Sequence, residues 1–250
     1  MVYDENATPR IPPGISVSMI IWGQTIPATP VASTPQFVLH PTPAGLTTST
    51  HDRLIQAGCH LDDSIFANCD ADSPLTDFDC SSIVNPEWIT FNPGQDLALV
   101  AACWKLYENM DKIPEDALYV VGCAFRQTVG YIFQNDKQYV LINTPEQMQE
   151  RFAPIESASE ALSYAQMMTG LHAYFDFSFD PSLLYFQESM DGTQVTVADA
   201  GYRMNLYHSQ VCFCEPWVTS QVDIEVARTG QITWRDAKPV YMTTGFSCAD

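Results

Sequence analysis

Three groups of residues in this 250-residue chain have types and spacing suited to chemistry: eight cysteines, five histidines and a close run of aspartates. The cysteines are Cys59, Cys69, Cys80, Cys103, Cys123, Cys212, Cys214 and Cys248, an even number with no CxxC pair and one CxC. Zinc sites present Cys-x2–4-Cys knuckles or add histidines at short spacing. Only His60, beside Cys59 and with His51 nearby, forms a Cys/His grouping. The pattern points to disulfides and therefore to an oxidising compartment. Cys212 and Cys214 project from one face of an extended chain, about 6.6 Å apart by strand rise, an awkward separation for bonding each other. Each is expected to reach a different partner, with Cys248 tying the terminal tail to one of them. Cys103 and Cys123 lie in neighbouring apolar runs and are expected to face each other.

Between Cys59 and Cys80 stand Asp62, Asp63, Asp70, Asp72, Asp77 and Asp79. Hard cations take oxygen ligands, so Asp70, Asp72, Asp77 and Asp79 are the candidate calcium ligands, and calcium is the one cofactor candidate. The spacing lacks the glycine and terminal glutamate of an EF-hand loop, and a solvated acidic loop is the alternative reading. Among the histidines, His208 follows Tyr207 on a strand and is the single best candidate for a functional role. His172 reads as a hydrogen-bonded boundary histidine. No GxSxG elbow, glycine-rich phosphate loop, HExxH or dinucleotide fingerprint occurs. No catalytic residue is assigned, and the chain leans away from an enzyme.

The elements that position these groups are read from periodicity and caps. Residues 1–50 hold eight of the seventeen prolines and end in Thr47-Thr48-Ser49-Thr50, the composition of an extended arm. Inside it Ile15, Val17, Met19 and Ile21 alternate as one strongly apolar strand face, and Gln36–His40 is a second short strand candidate. Such a strand either docks on its own domain or adds to another subunit's sheet. Asn6-Ala7-Thr8 matches a glycosylation sequon. Residues 51–250 are read as a single disulfide-bonded domain: an acidic loop-rich lobe over 51–95, then sheet and helices over 96–250.

Strands are expected at 97–107, 117–125, 128–134 and 138–143, the last two joined at Asn135-Asp136. Thr144-Pro145-Glu146-Gln147 opens a short helix to about Phe152. Ser157-Ala158-Ser159-Glu160 is a capping box that opens a longer one to about Tyr174, with apolar residues on two stripes, so largely buried. A meander follows: 183–190, 193–199, 202–213, 218–227 and 231–241. A two-residue Asp191-Gly192 hairpin joins its first two strands. A turn at Ala200-Gly201 sets Val197 opposite Met204. A three-residue loop Arg228-Thr229-Gly230 sets Val226 opposite Ile232 and Ile224 opposite Trp234, the register that keeps apolar partners together. The expected fold is α+β: an antiparallel sheet ending in a C-terminal meander, packed on one long buried helix, with a disulfide-rich loop lobe.

Thirty acidic residues against eleven lysines and arginines give a net charge of −19. Phosphate contacts need clustered basic residues, so nucleic acid is excluded as a partner, and anionic membrane surfaces are disfavoured. No apolar run approaches the ~20 residues of a membrane span, and Met1 is not followed by a basic segment and a long apolar one. The expectation is a mature secreted or cell-surface structural or interaction protein, self-assembling through its N-terminal arm. The alternatives are a secreted hydrolase built from scattered residues and a calcium-dependent binding module.

Overall fold

The computed structural model describes residues 31, 34–44, 50–62, 65–89, 97–121, 126–136, 138–209 and 218–243. Among these described residues, fourteen strands and three short α-helices follow in chain order. They are β1 (Gln36–Val38), α1 (His51–Gln56), β2 (Cys59–Leu61), β3 (Phe66–Cys69), β4 (Ser82–Val84), β5 (Leu97–Tyr107), β6 (Tyr119–Val121), β7 (Arg126–Asn135) and β8 (Gln138–Ile142). Then come α2 (Pro145–Phe152), α3 (Ala158–Thr169), β9 (Leu183–Tyr185), β10 (Ser189–Asp191), β11 (Val195–Ala198), β12 (Gly201–Ser209), β13 (Val218–Ala227) and β14 (Ile232–Thr243). Strands β2-β3-β4-β5-β7-β6, with β8 also on β7, make a seven-stranded sheet. Strands β11-β12-β13-β14-β9 make a five-stranded one, and β1 pairs with β10 apart from both.

The protein is thus mostly β, and the expected α+β arrangement on one long buried helix is not what forms. Helix α3 starts where its sequence says, with the Ser157 hydroxyl accepting from the Glu160 N–H and the Glu160 carboxylate accepting from the Ser157 N–H. It is buried as expected but only 12 residues long. Gly170 adopts the left-handed conformation at φ 69° and stops it, and a Cβ there would lie 2.7 Å from the Tyr119 ring. Leu171–Tyr174, expected to be helical, instead leave as irregular chain. Helix α2 matches its expected start and end, with Thr144 capping the Gln147 N–H.

One core cluster joins the two sheets through these helices. It contains Leu99, Val129, Tyr131 and Phe133 from the seven-stranded sheet and Met204, Leu206, Val222, Ile224 and Val226 from the five-stranded one. Met148 and Phe152 of α2 and Leu162, Tyr164, Met167 and Met168 of α3 fill the space between. The Phe152 ring lies 5.5 Å from Phe133 and 6.3 Å from Tyr164, and the Tyr164 hydroxyl donates to the Gly230 carbonyl at 2.8 Å.

On its other face the seven-stranded sheet carries a second cluster: Leu54, Ala57, Cys59, Leu75, Val100, Ala101, Cys103 and Ile132. Strand β5 serves both faces because its ladder with β7 slips between Leu99 and Ala101. That irregularity flips the parity of the side chains, so Leu99 and Ala102 share one face while Ala101 and Cys103 take the other. The lobe over 51–95, expected to be loop-rich, supplies three strands of this sheet and a short 3-10 helix, Pro74–Phe78. Aperiodic sequence hid these strands because each is only three or four residues long.

Three turns differ from expectation. The β7–β8 hairpin pairs Asn135 with Gln138, so Asn135 belongs to the ladder and not to the turn, and Asp136 follows it at φ 53°. Strands β11 and β12 pair Val195 with Met204 and Val197 with Tyr202, two residues off the expected register but with the same parity. Asp191-Gly192 is not a hairpin: β10 pairs in parallel with β1, and the Gly192 N–H donates to the Val38 carbonyl at 2.7 Å. The Arg228-Thr229-Gly230 loop forms with the anticipated partners, Val226 with Ile232 and Ile224 with Trp234, and Gly230 at φ 84°.

Candidate interaction site

Among the described residues there are two disulfides: Cys59–Cys69, directly opposite each other on β2 and β3 within the lobe, and Cys80–Cys103, which ties the chain just before β4 to β5. Cys103 therefore bonds Cys80 and not Cys123. Cys123, Cys212, Cys214 and Cys248 lie outside the described residues, as do Asn6 and the strand candidate at 15–22.

The aspartates of the lobe do not gather. Asp79 accepts from the Lys105 ammonium at 2.6 Å, which holds its carboxyl below the usual range, and Asp70 lies 3.7 Å from His60 at the surface. Among the described residues no three His, Cys, Asp or Glu side chains converge as metal ligands. A groove of about 540 Å³ between α2 and the β13–β14 loop is lined by Glu146, Gln149, Glu150 and Arg228. A cleft of about 240 Å³ beside Cys103 is lined by Lys105, Tyr107, Asp116 and Thr128. Neither contains a histidine or a free thiol.

What the structure does assemble lies on the outer face of the five-stranded sheet. Alternation along β12 sends Tyr202, Met204 and Leu206 into the main core and Tyr207 to the opposite side. There Tyr207 meets Tyr185, Met190 and Val240, with Phe37, Tyr174, Phe177 and Tyr241 packed around them. Ring centroids lie 5.0 Å apart for Tyr174–Tyr207, 5.3 Å for Phe177–Tyr207, 5.9 Å for Phe37–Phe177 and 6.2 Å for Phe37–Tyr185. Three of these are edge-on and Phe37–Phe177 is stacked with its planes 27° apart, both arrangements that aromatic quadrupoles favour when offset.

This cluster is a seat for the proline-rich arm. Residues 36–38 run parallel to 189–191, the Gln36 N–H donates to the Glu188 carbonyl at 2.8 Å, and earlier in the chain the Val31 N–H donates to the Tyr185 carbonyl at 2.9 Å. Phe37 pairs with Met190 across the β1–β10 ladder and enters the aromatic group. The segment leaving α3 completes the seat. His172 and Tyr207 exchange two backbone hydrogen bonds of 2.8 Å, and the Thr193 N–H donates to the Tyr174 carbonyl. The Tyr207 hydroxyl donates to the Asp191 carbonyl, so one side chain spans the sheet and the strand that receives the arm. Burial raises its phenol pKa well above the ordinary range, which keeps it a donor at every physiological pH.

Of the two histidines singled out in the sequence, His172 lies at this seat, and alternation along β12 turns His208 to the face opposite Tyr207. His172 is half-buried at the bridge, in keeping with a boundary position, and His208 is the neighbour of Tyr207. Burial lowers the pKa of each, and His208 lowers that of His172 further by charge repulsion. Both are therefore neutral in the folded protein at neutral pH, while in the unfolded chain they titrate near 6.5. Stability from this source is complete above the unfolded pKa and is lost as pH falls from about 6.5 toward the lowered folded values, by at most about 1.4 kcal/mol per pH unit for each histidine. Urea melts at stepped pH should show this loss before that of Asp79, Asp180 and Glu225, whose pKa values are also lowered but start from the carboxylate range. His172→Gln with His208→Gln should flatten the curve between pH 6.5 and 5. An unchanged slope would remove the histidines from the account.

The aromatic residues of the seat escaped sequence reading because they come from five separate segments, and none repeats at a period. No protein-family model matches the chain, and no curated protein or solved structure is significantly similar to it.

Proposed function

We propose that this is a secreted or cell-surface structural or interaction protein that self-assembles through its N-terminal arm. The observation that carries the reading is the docking of residues 36–38 as an added strand on 189–191, with Val31 bonded to Tyr185 before it and Phe37 in an aromatic seat. An arm that joins the body by main-chain hydrogen bonds and one aromatic anchor is built for strand addition, which supplies affinity through backbone and specificity through alternate side chains. Two disulfides support an oxidising location. Among the described residues no helix is long and apolar enough to cross a membrane.

Light scattering over a concentration series tests the reading on the full chain and on a chain lacking residues 1–30, which keeps the seated strand. The full chain should gain mass with concentration and the shortened chain should stay monomeric. A full chain that remains monomeric throughout would overturn the proposal.

A further inference from the structure

The five-stranded sheet has one edge closed by short β9, beside which Val31 already sits, and another edge formed by β11. Among the described residues β11 pairs with β12 alone. Natural edge strands are blunted by shortness, lysine, proline or a bulge, and of these β11, with four residues, has only shortness. Strand β11 reads Val-Thr-Val-Ala, with no charge and no proline, and its ladder with β12 is regular. Val197 is 75% exposed, against 38–51% for the other exposed large hydrophobic residues. Such an edge is a template for another strand.

The chain carries a strand-like sequence of matching character. Ile15, Val17, Met19 and Ile21 alternate over a segment without a single charge, Ile15–Trp22. It lies outside the described residues, but the point from which it is tethered is known: Val31, hydrogen-bonded at β9 on the far side of the same sheet. Nine residue steps separate Trp22 from Val31, a reach of about 30 Å when fully extended. Four strand spacings across the sheet make about 19 Å, and passing over a face already covered by packed side chains adds about 10 Å out and 10 Å back. The total, about 39 Å, exceeds the tether. The edge of a second copy has no such constraint.

We propose that residues 15–22 of one copy add as a strand to the free edge of β11 in a second copy. This deepens the assembly reading and rests on it. The contact is heterologous, since the arm leaves beside β9 and is received at β11, so successive copies join head to tail. An uncharged strand on an uncharged edge also lets a chain of net charge −19 associate without setting like charges against each other.

Two measurements test it. The first is Val197→Lys in the full chain, which places a charge at the exposed edge while the core is untouched. Light scattering should show at least a tenfold rise in the concentration needed for assembly. Assembly that persists unchanged in this variant would overturn the β11 assignment while leaving self-assembly standing, and a parent chain that never assembles would overturn both. The second is amide hydrogen exchange at residues 195–198. Protection there should rise at least tenfold with protein concentration in the full chain and be absent in the chain lacking 1–30. Protection independent of concentration would mean that the edge is covered by the chain's own arm, and fast exchange in both chains would mean that nothing covers it; either result overturns the proposal.

Discussion

Gly201→Ala will destabilise this protein by about 4 kcal/mol or more, the range reserved for substitutions that break a structural necessity. A Cβ at position 201 would lie 2.0 Å from the Val226 carbonyl oxygen and 2.8 Å from the Ala227 Cα. Both atoms belong to the backbone of β13, so no side chain can turn aside to make room. Gly201 heads a nine-pair ladder with β13, from Gly201–Ala227 to Ser209–Thr219, and the Arg228 N–H donates to the Ala200 carbonyl just before it. Relief requires the first pairs to separate, and with them Tyr202, Met204 and the face that meets α3. Thermal melting should place the variant many degrees below the parent. A midpoint within about 2 °C would show that the strands can spread freely at this end, against the close packing expected of a sheet interior.

The same glycine shows how much of the fold the sequence made legible. An Ala-Gly dipeptide between two alternating runs is a turn signal, and the sequence reading places the turn there. The structure places it at Asp199-Ala200 because the lack of a side chain at 201 serves a close approach from β13, a partner twenty-six residues away that local pattern cannot see. Where local chemistry does decide, the reading holds. The caps at Thr144 and Ser157 fix two helix starts, and the left-handed glycine at 230 fixes a register on which both β13 and β14 depend. Helix α3 was overextended because its apolar stripes continue through Leu171 and Tyr174. Those residues are indeed inside, but Tyr174 belongs to the aromatic seat. Burial was legible; the change of partner at Gly170 was not. Asp191-Gly192 failed for the same reason as Gly201. Backbone groups claimed by β1 (Gly192 N–H to Val38) and by Tyr174 (Thr193 N–H), over a hundred residues and nineteen residues away respectively, outcompete a hairpin that the dipeptide alone would favour. The seat was beyond sequence reading altogether, since aromatic residues scattered over 37–241 acquire a common purpose only when the sheet brings them together.

Removing the Cys80–Cys103 bridge by Cys80→Ala with Cys103→Ala should cost about 3 kcal/mol, the loop-closure entropy that a crosslink over 23 residues withholds from the unfolded chain. Two features bear on this figure. Cys103 is buried among Val100, Ala101 and Ile132 on the outer face of the seven-stranded sheet, so alanine there also gives up sulfur contacts in a packed cluster. The Asp79–Lys105 pair beside the bridge is exposed and cannot hold the two segments together alone. The Cys59–Cys69 bridge closes a loop of only 10 residues inside a hairpin already paired by β2 and β3, so its removal should cost less than that of the longer one. Denaturant melts of the two double variants, compared with the parent under oxidising conditions, give the ordering directly. The Cys80–Cys103 variant should melt first, with hydrogen exchange rising over 66–84 while the α3 core stays protected. If instead the whole chain lost protection together, the lobe would have to be counted as part of one cooperative unit with the main core. Reduction in a cytosol-like buffer should destabilise the lobe at least as much as the two variants combined, which links the stability of the lobe to the oxidising surroundings in which the arm is proposed to join one copy to the next.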